Sequence, residues 1–512
     1  MIHLNEFRIL CRSHGSRLVS GLAGNQALAG FATVATPAVR ETPVTPPLCS
    51  GCRERDARIA ELQQQLAALQ AQNRKLGESA RRNASNSSIP PSINPPDAPK
   101  PTTKKPTGRK RGGQPGHPCH SRVRLPPERV QHTIPFIPLQ CECCQAALPE
   151  SPGPHDPEPS WHQYAELPKQ AATVTEYQGH ARTCTGCGHI TRAVIPAEFR
   201  RETIGPRLGA TLSYLSGSPH VSKRGIEEIC ETVFDVPISL GTIANLEQEM
   251  SAALQAAHTE AQQVVQQAKV KHVDETGWKE SGRKRWLWGA ATATVVCFVI
   301  HATRGVEGFQ ALLGGVLKGL FVSDRWSVYQ CLAVGCRQIC WAHLKRDFQK
   351  LVDRGGPSQP IGQRGLDVVA ALFKAWHAFR DGQLSRRQLQ SKLEPLRDDL
   401  WEWLEEGTWC PETKTATFCK NLLDIEPALW TFLYRSDVEP TNNFMERLVR
   451  SAVLWRKIAF GCQSDQGCRF VERILTVIGT LRLQKRPVLD FLENSLRAHR
   501  EARPAPKLIN DG

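Results

Sequence analysis

The reading of the fold turns on VKHVDETGW, residues 270–278. Val270 and Val273 flank Lys271 and His272 ahead of an acidic pair, and the run reads as a strand ending at Asp274. Two further strands follow in RKRWLWGAAT (283–292) and TVVCFVIHAT (294–303), read as antiparallel, and then a helix in EGFQALLGGVL (307–317). GLFVSDRWSVY (319–329) reads as a strand ending at Asp324, and RQICWAHLKRDF (337–348) as a strand running into a basic helix. Both aspartates then sit at strand ends, where side chains from separate strands can meet.

Metal-assisted cleavage of a phosphodiester requires several carboxylates around two ions about 3.5–4 Å apart, because each ion needs anionic oxygen ligands. Two aspartates fall short of that. EPTNNFMERLVR (439–450) offers a third acid, Glu446, in the first turn of a helix. Glu446 also reads as a capping residue three positions after Asn443, a role compatible with metal binding. A single strand-end aspartate is more often structural than catalytic, so the argument rests on the set of three in β, β, α order. His343 and Arg346 are candidates to orient a phosphate, and a packed histidine at a strand end is the alternative for His343.

The rest of the chain favours a nucleic-acid partner. Its 512 residues are enough for about three or four domains. Lys and Arg number 65 against 50 Asp and Glu, a net charge of +15 that suits a polyanion. The longest apolar candidate, Trp286 to Ile300, is fifteen residues, short of the roughly 20 a spanning helix needs, so a soluble cytoplasmic, nucleoid-associated protein is expected. The 18 cysteines lack the dense framework of a secreted scaffold, and residues 1–48, an N-terminal extension of uncertain role, show no compact apolar segment with a cleavage site.

Ile59, Leu62, Leu66, Leu69, Asn73 and Leu76 recur at spacings of 3 and 4, predicting a leucine-zipper coiled coil over 53–82 and a homo-oligomer through it. An amphipathic helix packed on its own chain is the plainer reading. Residues 83–125 read as a disordered linker. Its basic residues include Lys104, Lys105, Arg109, Lys110 and Arg111, with no acid between Lys100 and Arg124, which predicts contact with DNA phosphates. Cys141 with Cys144 and Cys184 with Cys187 form two CxxC pairs forty residues apart, a spacing that predicts a tetrahedral structural Zn2+ site in a zinc-finger-like module over 126–200. Cys143 and His189 stand as alternative ligands, and Cys49 with Cys52 has no partner pair. In 201–262, SKRGIEEICETVF and SLGTIANLEQEM, with Ser239 as N-cap, predict a helix-turn-helix whose second helix offers Thr242 and Asn245 to the major groove.

These motifs, in this order, resemble the insertion sequence sixty-six family of bacterial DDE transposases. The likeness covers about residues 55 to 495 and is carried by the zipper, NASNSSIPPS, RGGQPGH, the CxxC pairs, HVDETGW, CWAHLKRDF and NNFMERLVRSAVLWRKIAFGCQS. The resemblance implies a multidomain α+β protein with an RNase H-like α/β catalytic core, in two parts (265–345 and 436–484), around a helical insertion (346–435), followed by a C-terminal helical tail (485–512). It matches Asp274, Asp324 and Glu446 to an acidic triad holding Mg2+ or Mn2+, for DNA strand cleavage and strand transfer at the ends of an insertion sequence. DNA, both element ends and target, is the implied partner, with accessory proteins encoded by the same element as further candidates. Many DDE enzymes carry a basic residue two helical turns after the glutamate. Here that position is Val453, and Arg450, Arg456 or Lys457 are the candidate substitutes. Two other functions stay open: a zinc-containing DNA-binding regulator or inactive transposase without catalysis, and an RNase H-like nuclease without strand transfer.

Overall fold

The computed structural model describes residues 50–80, 124–151, 153–154, 156–167, 172–200 and 202–509. The extension before residue 50, the linker residues Lys104, Lys105, Arg109, Lys110 and Arg111, and residues 510–512 lie outside the described residues, as do the side chains of Cys52 and Leu76. The described residues 50–80 and those from 124 onward belong to separate compact units.

In the first unit, α1 (Ser50–Ala80) is a continuous helix of 31 residues. Its Gln- and Ala-rich sequence favours helix, and the seam residues Ile59, Leu62, Leu66 and Leu69 are all about half exposed, at 48–57%.

The second unit begins with sparse structure: β1 (Ala181–Thr183) pairs antiparallel with β2 (Ile190–Arg192), and α2 (Ala197–Arg200) follows. None of the described residues between 124 and 200 is buried, so this stretch has no apolar core of its own. Next come α3 (Pro206–Gly217), α4 (Lys223–Phe234) and α5 (Leu240–Ala253). Ser222 and Ser239 cap α4 and α5, accepting from the Gly225 and Thr242 amides, and Asp235, at φ 55°, turns the chain out of α4. Leu212, Ile226, Cys230, Ile243 and Leu246 pack between the three helices.

After α6 (Gln255–Gln267) the chain enters a central sheet of β3 (Val270–Glu280), β4 (Arg283–Ala291), β5 (Val296–His301), β6 (Leu320–Ser323) and β7 (Arg337–Ile339), with α7 (Val306–Leu313) between β5 and β6. The strand order is β5-β4-β3-β6-β7. The first three are mutually antiparallel, while β6 runs parallel to β3 and β7 parallel to β6. One expectation needs correction: the first strand does not end at Asp274. Pairing with β4 runs from His272 opposite Ala291 to Glu280 opposite Arg283, which keeps the backbone extended for six residues more. What stops just short of Asp274 is the parallel pairing with β6, confined to Val270–His272.

Helices α8 (Trp341–Arg354), α9 (Ser358–Arg380), α10 (Arg386–Gly407), α11 (Thr413–Leu423) and α12 (Thr431–Tyr434) share one apolar cluster with Leu320, Val322 and Ile339 of the sheet. The chain then returns through α13 (Asn443–Ala459), α14 (Asp465–Leu483) and α15 (Val488–Arg500). Edge strand β5 is covered by α14: the Val296 and Phe298 amides donate to the Thr480 and Thr476 hydroxyls at 3.1 and 2.9 Å, and the Ile300 amide to Glu472. That use of side-chain acceptors removes an open sheet edge. Among the described residues no helix is long and apolar enough to cross a membrane.

Candidate active site

The site is built where β3, the end of β6, the start of α8 and the start of α13 converge. On β3, His272, Asp274 and Thr276 share the face toward α13, as alternation along a strand requires. His272 Nδ1 lies 3.0 Å from Asn442 Oδ1, and the Asn442 amide donates to the Val273 carbonyl at 2.8 Å. The Asn442 backbone N–H contacts Cys340 Sγ at 3.1 Å, and the Trp341 amide donates to the Pro440 carbonyl at 2.9 Å. The PTNN turn is thereby clamped to β3 and to the β7–α8 junction together, which fixes where α13 begins. Asn442 is the N-cap, but its side chain is spent on β3 and makes no cap bond, so the capping-box reading of Glu446 with Asn443 is not realised.

Glu446 projects from the first turn of α13 toward α8. His343 Nδ1 is 3.4 Å from Glu446 Oε1, and the Arg346 guanidinium is 4.0 Å from the same oxygen. Neither His343 Nδ1 nor Glu446 Oε1 has a hydrogen-bond partner although both atoms are buried. Cys340, His343 and Glu446 place one potential ligand atom each within 4.8 Å of one another, the one such group of three among the described residues.

Among the described residues, Asp274 accepts only from the Glu275 amide, at 2.9 Å, and Asp324, directly after β6, only from the Trp326 amide, at 2.9 Å. Neither carboxylate has an ion pair among the described residues. Burial pushes the Asp274 carboxyl well above the usual carboxylate range, and the charges of Glu275, Asp324 and Glu446 push it further. Acids from three elements therefore act on Asp274, whose carboxylate has no ion pair of its own, while Glu446 has Arg346 at 4.0 Å; the three carboxylates are not gathered within 4.8 Å of one another. Oxygen donors in excess of positive charge, with a buried carboxylate oxygen left unbonded, fit a hard divalent cation. Glu275, on the opposite face of β3, is held instead by Arg304 at 2.7 Å and by the Tyr329 hydroxyl at 2.6 Å.

The other candidate residues are distributed as follows. Arg456 is turned inward, its guanidinium donating to Thr276 Oγ1 at 3.1 Å and to the Gly277 carbonyl, whereas Arg450 and Lys457 are exposed on α13. Val453, two turns after Glu446, packs on the core. On α5, Asn245 is exposed and the Thr242 hydroxyl is engaged with Ser239 Oγ at 2.9 Å.

The two CxxC pairs form backbone turns of one kind. In the first, the Cys141 amide donates to the Ala146 carbonyl and the Gln145 amide to the Cys141 carbonyl; in the second, the Cys184 amide donates to His189 and the Gly188 amide to Cys184. The fourth residue after each leading cysteine is left-handed, Gln145 at φ 61° and Gly188 at φ 71°. Backbone amides within the turns, those of Cys144 and Cys143 in the first and of Gly186 and Cys187 in the second, hold the Cys141 and Cys184 thiols below their ordinary range. Such turns suit thiolate ligation. The structure brings each pair together but does not gather the four sulfurs within 4.8 Å of one another.

Sequence reasoning missed Cys340 as a neighbour of Glu446, and missed the Glu275–Arg304–Tyr329 support. The available signal for the first was the CxxH spacing of Cys340 and His343 at a strand-to-helix junction.

A family model described as Transposase IS66 family matches residues 201–469, a span containing Asp274, Asp324 and Glu446. A second, Family of unknown function (DUF6444), matches residues 44–123. Two proteins of Sinorhizobium fredii (strain NBRC 101917 / NGR234) are similar to the chain. Uncharacterized protein y4qI is 26% identical over 251 residues, 44% of this chain and 46% of its own length. Uncharacterized protein y4hP is 26% identical over 406 residues, 70% of this chain and 71% of its own. The chain thus spans less than half of the first relative and about seven tenths of the second.

Proposed function

The chain belongs to the Transposase IS66 family, a family of DNA-processing enzymes, and from that premise we propose that it cuts element-end DNA and joins it to target DNA, with Asp274, Asp324 and Glu446 as the catalytic acids. The observation that carries this is that Asp274, buried on β3, feels the charges of both Asp324 and Glu446 and has no ion pair of its own among the described residues, although the three carboxylates do not gather within 4.8 Å as one ligand group. The sheet order, three antiparallel strands continued by two parallel ones, supports an RNase H-like reading of the core, with α8–α12 as its helical insertion.

Bound between these acids, Mg2+ or Mn2+ would supply the Lewis acidity that activates water or a 3′ hydroxyl and neutralises charge building on the phosphate. Asp274 and Asp324 hold their carboxylates from adjacent parallel strands, and Glu446 closes the set from α13. The His343 ring and the Arg346 guanidinium, beside Glu446, orient it and offer positive charge to a phosphate oxygen. No side chain needs to form a covalent bond to DNA.

Around this core, the matched knuckle turns support Zn2+ held by Cys141, Cys144, Cys184 and Cys187. A stretch without buried residues depends on such a staple for its shape. The capped pair α4 and α5 supports helix-turn-helix binding of DNA through Asn245, and Arg450 and Lys457 are exposed to join it. Cytoplasmic action on nucleoid DNA follows from this reading.

The deciding experiment is strand transfer by the purified chain on labelled element-end DNA with Mg2+, beside Glu446→Gln. Joined products that vanish in the variant are expected. Cleavage without joining would point to a nuclease, binding without cleavage to a regulator, and full activity in Glu446→Gln would remove that residue from the site.

For α1, the half-exposed seam supports a coiled-coil dimer, in which each seam leucine is buried by its counterpart. Leu66→Asp puts a charge into that seam, so sedimentation equilibrium should find a monomer where the parent chain is a dimer. An unchanged mass would eliminate α1 as the interface.

A further inference from the structure

Beside Asp324, the segment 325–330 and the start of β7 face α11 across a cavity of about 280 Å3, whose lining includes Arg325, Trp326, Gln330, Arg337 and Asn421. The two arginines differ sharply. Arg325 is neutralised: its guanidinium donates to Asp347 at 2.9 and 3.2 Å and lies 5.0 Å from the Phe418 ring centroid. Arg337 is 2% exposed, its Nε has no hydrogen-bond partner, and no carboxylate pairs with it among the described residues. Burial disfavours its charge, and Asp324 attracts it only from beyond ion-pair range, so a chain that keeps such a guanidinium gains by completing it with an anion from outside. The forked guanidinium matches a phosphate better than it matches any single acceptor.

The remaining lining narrows the class of anion. Trp326 is 37% exposed and is backed by the Arg304 guanidinium, 3.9 Å from its ring centroid, which holds the indole as a fixed flat surface. Bases stack on such surfaces. The amides of Gln330 and Asn421 stand at the exposed rim, free to meet the polar edge of a base or a sugar. The volume lies at the lower edge of small-molecule sites, about 300–1,000 Å3, which suits one nucleotide and excludes a duplex. Asp324 is next to Arg325 in the chain, so the cavity adjoins the acids.

We propose that this cavity binds one nucleotide of the DNA strand next to the scissile phosphate, its phosphate on Arg337, its base against Trp326, and Asn421 reading the base or sugar edge. The position relative to the scissile bond rests on the reading of Asp324 as a catalytic acid; the binding itself does not. Because Asn421 comes from α11, the helical cluster then has a direct part in holding the strand.

The test is titration calorimetry on the full chain in EDTA, with thymidine 3′,5′-bisphosphate as probe and inorganic phosphate beside it. Arg337→Gln should weaken bisphosphate binding by about tenfold or more, the loss of a charge-assisted hydrogen bond, and Asn421→Ala by about threefold. Arg364→Ala, an exposed arginine of the same helical cluster, should bind as the parent does. Free of ligand, Arg337→Gln should melt no lower than the parent, since at this guanidinium the cost of burial outweighs the attraction of Asp324. Absence of bisphosphate binding by the parent, or equal binding by Arg337→Gln, overturns the proposal, and equal affinity for inorganic phosphate overturns the assignment of a nucleotide. Should Arg337→Gln fail to fold, Asn421→Ala on the rim decides in its place. No metal is present and no bond is cut, so a chain that binds the bisphosphate yet never joins DNA refutes the catalytic reading and leaves the cavity standing.

Discussion

Asp274→Asn should lower DNA cleavage by at least about 10³-fold, as expected for loss of one member of a preorganised set, and at the same time make the metal-free chain more stable. Both effects come from the same cause. Burial and the neighbouring charges of Glu275, Asp324 and Glu446 raise the Asp274 carboxyl above its ordinary value, so the folded chain binds that proton more tightly than the unfolded chain does. For an acid shifted in this direction, stability is lost as pH rises from the unfolded value, about 4, through the raised folded one. The metal-free chain should therefore melt progressively lower from acidic to neutral pH, and Asp274→Asn should flatten that dependence. Mg2+ should act in the opposite sense, because it needs the ionised carboxylates and stabilises whatever state binds it, by an amount that grows with pH. Thermal midpoints in EDTA and in Mg2+, measured across this range for both chains, test the claim. A variant that cleaves like the parent, or that melts lower in EDTA throughout, would sink it.

The elements around Asp274 were legible because each carries its own signal: alternating burial in β3, continuous apolar runs in β4 and β5, and an apolar stripe in α8 and α13. Where Asp274 falls within its strand was not, because the length of β3 is set by its antiparallel partner rather than by its own residues. The polar stretch after Val273 looks like a strand end, yet Glu275 is buried there by Arg304 and Tyr329, from 29 and 54 residues further on. Glu446 was legible as an acid in a first turn, but its neighbour Cys340 lies more than a hundred positions away in sequence. Arg456 shows the same limit: it stands on the helix of Arg450 and Lys457, and only the proximity of β3 turns it inward to Thr276 and Gly277. The zinc turns present the opposite case, since each CxxC is local and readable, while the meeting of four thiols forty residues apart is a tertiary fact.

Gly289→Val should cost roughly 3 kcal/mol of stability, the upper end for overpacking a core, and should lower activity by about 10²-fold, the scale expected for displacing a catalytic group by about an ångström. Gly289 lies on β4 directly opposite Asp274 and is buried. A Cβ there would meet Met445 Cε at 2.3 Å and the Phe298 ring at 2.9 Å. Met445 is fully buried and precedes Glu446, so the glycine is the notch into which the first turn of α13 settles over the sheet. A branched side chain in the notch leaves two outcomes, a displaced Phe298 or a lifted helix, and the second carries Glu446 away from Asp274. Met445→Ala separates them. Alone it leaves a cavity and costs about 2–5 kcal/mol, but in the valine background it opens the space the valine needs, so the two substitutions should couple favourably by about 1 kcal/mol or more. Denaturant midpoints of the four chains give that coupling, and Mg2+-dependent cleavage by the double variant reports whether Glu446 has returned. Strict additivity would mean that Met445 does not seat α13 through Gly289, and the position of Glu446 would have to be set by the Asn442 clamp alone.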